Sequence, residues 1–110
     1  QYDCNLVMMN DLIGGKWKLR ILWHIMNGDN RFSMLEKNID SITPKVLMSQ
    51  LNEMEESGLI LKHVLVSTPP KVVVYEINPE YSGICEIVNN AHSFSIMYGT
   101  KNNIDILTKK

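Results

Sequence analysis

The chain has only two cysteines in 110 residues, Cys4 and Cys85. They are too few and too far apart for a disulfide framework or a Cys/His metal cluster. Its three histidines, His24, His63 and His92, stand alone, with no spacing that groups them around a metal. No apolar run approaches the roughly 20 residues needed to span a bilayer, and no charged-then-apolar leader opens the chain. The expected location is therefore the cytoplasm, with no membrane partner. A Gly-rich phosphate loop, a triad-like grouping and paired carboxylates are also missing, so an enzyme reading has no residues to rest on and no cofactor is expected. A basic excess is lacking as well: the formal net charge of −1 does not announce a nucleic-acid binder, and charge must be read locally. What is present is 45% hydrophobic residues and no low-complexity run, which fits one domain over residues 1–110.

The most informative stretch runs from Ile42 to Ile77. Thr43 can N-cap a helix whose first residue is Pro44, where a missing N–H costs nothing. Leu47, Leu51 and Met54 recur at helical spacing, while Lys45, Met48, Ser49 and Asn52 fall on other faces. Gly58 supplies a left-handed stop, so the helix spans about 43–57. Two runs rich in β-branched residues follow, joined by Ser67-Thr68-Pro69-Pro70-Lys71, and predict a stiff-tipped hairpin over about 59–77. Glu53, Glu55 and Glu56 crowd the second half of the helix and leave its first half free of acid, as needed by a helix that points its N-terminus at phosphates and base edges.

Before this stretch, Leu6, Val7, Met9, Leu12 and Ile13 predict a first helix over about 4–13, with Asp3 as its cap and Gly14-Gly15 as its end. Trp17, Ile21, Leu22 and Ile25 predict a second helix over Lys16 to Met26. After the turn Asn27-Gly28-Asp29-Asn30, Ser33 and Glu36 read as the capping box of a third helix reaching Asn38. Helix, short turn and capped helix is the helix-turn-helix layout. After the hairpin, Asn78-Pro79 reads as the start of a long last helix over about 79–99. It carries more apolar residues than a core of this size can cover, so a second copy of the chain is the simplest cover for the first and last helices. Leu6, Met9, Ile87, Val88, Phe94 and Tyr98 are the expected dimer contacts. The tail from Thr100 onward is expected to fray.

These residues together resemble the HxlR-type transcriptional regulators, relatives of the MarR-type winged-helix repressors. The resemblance covers nearly the whole chain. It rests on Cys4, Leu12-Ile13-Gly14-Gly15-Lys16-Trp17 with Ile21-Leu22, Gly28 with Arg31-Phe32 and Leu35, Ile42-Thr43-Pro44-Lys45-Val46-Leu47, Gly58-Leu59-Ile60, Pro69-Pro70 and Val73 to Ile77. Asn5 stands where the family usually has proline, and Lys62 where it often has arginine. The resemblance implies a mainly α fold with a small antiparallel β-hairpin: a winged helix-turn-helix with N- and C-terminal dimerisation helices. It also implies a homodimeric, sequence-specific DNA-binding regulator, a repressor more readily than an activator, acting on double-stranded operator DNA and switched by an oxidant, an electrophile or a small-molecule effector. The competing expectation is a winged-helix dimer that binds proteins and not DNA.

Within that frame, Thr43, Pro44, Lys45, Ser49, Gln50 and Asn52 are candidates for the major groove, with the hydroxyls and Lys45 on phosphates and Gln50 or Asn52 on adenine edges. The plain alternative is a solvated helix face. Arg31 and Lys62 could clamp phosphates, though Arg31 could equally pair with Glu36 or Asp40. Lys71 and the proline tip are placed to touch the adjacent minor groove or its phosphates. Cys4, just ahead of a helix, is a candidate for oxidation or alkylation, and in some members of the family the matching cysteine senses oxidants, quinones or aldehydes. An inert thiol at a dimer interface is the alternative. Cys85 reads as a small buried hydrophobe.

Overall fold

In the computed structural model, which describes residues 1–106, the order is α1 (Asn5–Ile13), α2 (Lys18–Met26), α3 (Phe32–Asn38), α4 (Pro44–Glu56), β1 (Ile60–Val66), β2 (Val72–Ile77), a 3-10 turn (Pro79–Tyr81) and α5 (Ile84–Lys101). The mainly α fold with one antiparallel hairpin is as expected. The last four residues of the expected tail lie outside the described residues.

One apolar core holds these elements together. Ile21, Leu22 and Ile25 of α2, Leu35 and Ile39 from α3 and its end, Leu47, Leu51 and Met54 of α4, Ile60 and Tyr75 of the hairpin, and Ile84 and Val88 of α5 are all buried in it. Each α-helical contributor repeats at three or four residues, so a single stripe per helix faces inward. The hairpin pairs Ile60 with Ile77, Lys62 with Tyr75 and Val64 with Val73, and a bulge between Val64 and Val66 follows near the tip. Its inner end is tied to the α2–α3 turn, where the Tyr75 N–H donates to the Asn30 carbonyl at 2.8 Å, and the Asn78 N–H extends the ladder to the Leu59 carbonyl at 2.9 Å.

Several helix starts differ from the sequence expectation. α3 begins at Phe32 with Arg31 at its N-cap and no side-chain cap, so Ser33 and Glu36 do not form a capping box. The phase is set by burial instead: Phe32, Leu35 and Ile39 all turn to the core, and this places Ser33 inside the helix. α1 is capped by Cys4 in extended conformation, not by Asp3, and the Cys4 carbonyl accepts from the Val7 and Met8 N–H groups. α2 starts at Lys18, two residues later than expected. Asn78 does cap, its Oδ1 accepting from the Glu80 N–H at 3.0 Å, but what it caps is the 3-10 turn. The long helix starts only at Ile84, because Asn78 Nδ2 also donates to the Gly58 carbonyl and ties this turn to the end of α4. At the other end α5 runs on to Lys101, and the Ile104 N–H returns to the Gly99 carbonyl.

Two glycines close helices for geometric reasons. A Cβ on Gly14 would sit 2.2 Å from the Asn10 carbonyl oxygen, so only glycine lets the chain leave α1 this closely. Gly58 has φ +85° and ends α4 in a Schellman arrangement: the Leu59 N–H donates to the Met54 carbonyl and the Gly58 N–H to the Glu55 carbonyl, both at 3.0 Å.

The radius of gyration, 15.0 Å, exceeds the roughly 13 Å of a compact domain near this length. Part of the chain is thus not folded back on the core. α1 contains no buried residue, and Leu6 on it is 77% exposed. The outer side of α5 leaves Ile87, Phe94 and Tyr98 open as well, the last two rings stacked with centroids 5.9 Å apart.

Candidate nucleic-acid interface

α4 is a helix with defined ends and a sorted surface. Thr43 Oγ1 accepts from the Val46 N–H at 3.2 Å and Pro44 occupies the first turn, as the sequence predicts. That first turn holds no acid, so its free N–H groups and the positive end of the helix dipole are not cancelled locally. With Leu47, Leu51 and Met54 fully buried, a rotation of 100° per residue turns Lys45, Ser49 and Asn52 to the opposite side. All three are exposed, as are Thr43 and Pro44. This row is the surface the helix can present to a docking partner.

Gln50 does not belong to that row. It is only half-exposed, because it stands one residue from Leu51 and three from Leu47 and so lies on the flank of the buried stripe. Met48 takes its place as an exposed neighbour of the row. The sequence signal was available, since Met48 falls off the stripe of Leu47, Leu51 and Met54, but an apolar side chain does not read as a contact until its exposure is known. A thioether in a major groove would meet a thymine methyl, an apolar contact.

The remaining candidate cations lie on the elements that precede and follow α4 in the chain. Arg31 is exposed at the start of α3, and among the described residues it forms no ion pair with Glu36 or Asp40. Lys62 is exposed on β1 opposite Tyr75, and Lys71 is exposed where the tip enters β2. Arg20 instead donates to the Asp40 carbonyl at 3.2 Å, bracing the α3–α4 turn, where Ser41 has φ +68°. Lys16 and Arg20 both lie over the Trp17 ring, at 4.9 and 5.0 Å from its centroid. One ion pair escaped the sequence reading: Lys18 Nζ and Glu53 Oε1, 2.9 Å apart, join α2 to α4. Lys18 holds the Glu53 carboxyl below its ordinary value, first by hydrogen bonding and then by charge.

Of the expected dimer contacts, Leu6, Ile87, Phe94 and Tyr98 are exposed and available to a second copy. Val88 is not: it is 3% exposed, packed in the protomer's own core one turn after Ile84. Met9 is half-buried against the same core. Cys4 is an exposed free thiol at the N-cap of α1, and Cys85 is half-buried in α5. The histidines are engaged singly: His24 with Asp29 and His63 with Glu76, each at 2.9 Å, and His92 stacked on Trp23 at 4.0 Å.

Residues 12–103 match the family model described as HxlR-like helix-turn-helix. A protein named MalR in Fusobacterium mortiferum is 37% identical over 95 residues, which span 86% of this chain and 89% of that protein. Among solved structures, the helix-turn-helix-type protein YtcD superposes with a TM-score of 0.78 at 33% identity, over 86% of this chain and 96% of that one. The redox regulator HypR in its oxidised form gives the same TM-score at 29% identity and the same coverages.

Proposed function

The chain belongs to the HxlR-like helix-turn-helix family of transcriptional regulators, and from that premise we propose that it binds operator DNA as a homodimer, represses from it, and is switched by an oxidant or electrophile at Cys4. One observation carries the DNA reading: a capped α4 whose core stripe is fully buried turns Lys45, Ser49 and Asn52 outward from an acid-free first turn. Entering the major groove N-terminus first, this row meets phosphates with Thr43 and Lys45 and base edges with Asn52 and Met48. Arg31, Lys62 and Lys71 hold the backbone on either side.

Symmetry completes the unit. The exposed stripe of Ile87, Phe94 and Tyr98, with Leu6 on α1, is an apolar surface that a second copy covers. Two copies related by a dyad place two α4 helices in successive major grooves about 34 Å apart, so the operator is a pseudo-palindrome. For the switch, the support is the position of Cys4 at the N-cap of α1, inside the proposed dimer region, together with the likeness to HypR. A modified Cys4 alters α1 first, and through it the spacing of the two α4 helices. The protein works in the cytoplasm, where its DNA is.

The test is a gel shift with DNA from upstream of its own gene at two salt concentrations. Binding that falls steeply with salt and is lost on scrambled DNA supports the proposal, because phosphate contacts release counterions. Association with no DNA at any salt leaves the protein-binding dimer as the reading of this fold.

A further inference from the structure

Glu53 is the first acid along α4, four residues after Ser49 and one after Asn52, so it borders the outward row. A free carboxylate there would repel the phosphates that Lys45 and the wing cations are placed to hold. It is not free. Lys18, from the start of α2, donates to Glu53 Oε1 at 2.9 Å, and Ser49 Oγ donates to Oε2 at 3.5 Å. The two partners differ in exposure: the Lys18 side chain is 11% exposed and that of Glu53 is 52%. The cation therefore lies behind the helix, in a cleft of 380 Å³ between α1, α2 and α4, while the carboxylate it serves reaches the rim. Asp11 and Glu56 line the same cleft, so among the described residues Lys18 is the one cation beside three acids there.

We propose that Lys18 is a positioning residue for DNA binding that acts through Glu53: it neutralises the acid beside the reading row without touching DNA itself. This rests on the reading of α4 as the DNA-facing helix. A cation that met DNA directly would need to be exposed, and Lys18 is not. A link that only stabilised the fold would leave the affinity of the folded protein unchanged.

The experiment compares wild type, Lys18→Met, Glu53→Gln, the double variant and Lys18→Arg, each confirmed as folded by circular dichroism, on a fragment from upstream of the gene at low and high salt. Lys18→Met should bind about three- to ten-fold more weakly at low salt, with the gap closing at high salt as the uncovered charge is screened. Adding Glu53→Gln should bring affinity back to within about two-fold of wild type, and Lys18→Arg should keep it throughout. If the double variant binds no better than Lys18→Met, or if Lys18→Met binds like wild type at low salt, the proposal is overturned. Should Lys18→Met not fold, Lys18→Gln takes its place, alone and with Glu53→Gln: a loss in the single variant that the double variant restores supports the proposal, and no loss or no rescue overturns it. Failure of wild type itself to bind any fragment removes the DNA-facing role of α4, which is a different result from a missing rescue.

Discussion

Replacing Phe94 by Ala tests the dimer at the largest exposed aromatic stack of α5. Phe94 is 59% exposed in the protomer, stacked on Tyr98 and flanked by Ile87 on the same side of α5. Full burial of a phenylalanine side chain is worth about 1.5–3 kcal/mol, so covering the exposed part contributes roughly 1–2 kcal/mol. A two-fold interface uses the residue twice, which gives about 2–4 kcal/mol per dimer. At 1.4 kcal/mol for each factor of ten, the dimer dissociation constant should rise about 30- to 1000-fold. The protomer core should be spared, because Phe94 is not part of it. Sedimentation velocity over a concentration series reads the constant, and far-ultraviolet circular dichroism confirms that the separated protomer keeps its helices. A wild-type chain that stays monomeric at tens of micromolar, or a variant that associates as tightly as wild type, would refute the placement of the dimer face.

Asn52→Ala should cost on the order of 1–3 kcal/mol on the preferred operator and little on scrambled DNA, while Gln50→Ala should cost clearly less, and Lys62→Ala should weaken both DNAs alike and lower the salt slope by about one ion. Binding isotherms on both DNAs across salt decide this, and an equal effect of all three substitutions on both would show that α4 does not read sequence. Cys4→Ser should bind the operator as wild type does but ignore diamide or a quinone. If wild type and variant respond identically in a gel shift, Cys4 is structural. Burial, with a smaller push from the Glu55 charge, holds the Tyr75 phenol above its ordinary value of 10.0. A group raised in the folded state contributes fully below its unfolded value and loses that contribution as pH rises through the folded one. Tyr75→Phe should therefore flatten the fall in stability above pH 10, measured by urea denaturation, and an unchanged alkaline limb would show that other groups cause it.

What the sequence determined by itself was local. Thr43-Pro44 and Gly58 fix the ends of α4 because capping and a positive φ are properties of a few adjacent residues. The spacing of Leu47, Leu51 and Met54 fixes which side of α4 is buried, and the β-branched runs fix the hairpin. Motifs spread along the chain were specific enough to reveal the family. What only the tertiary structure decided depends on packing between distant segments. Ser33 and Glu36 have the spacing of a capping box, but the packing of Phe32 against the core moves the helix start ahead of them. Val88 is as apolar as an interface residue, but the packing of α5 on α2 leaves it inside the protomer. Gln50 looks like a reading residue until the width of the buried stripe is known. The pairing of Lys18 with Glu53 spans 35 positions and two helices, and no local pattern announces it, because a lysine and a glutamate so far apart meet only when the core sets the rotation of both helices.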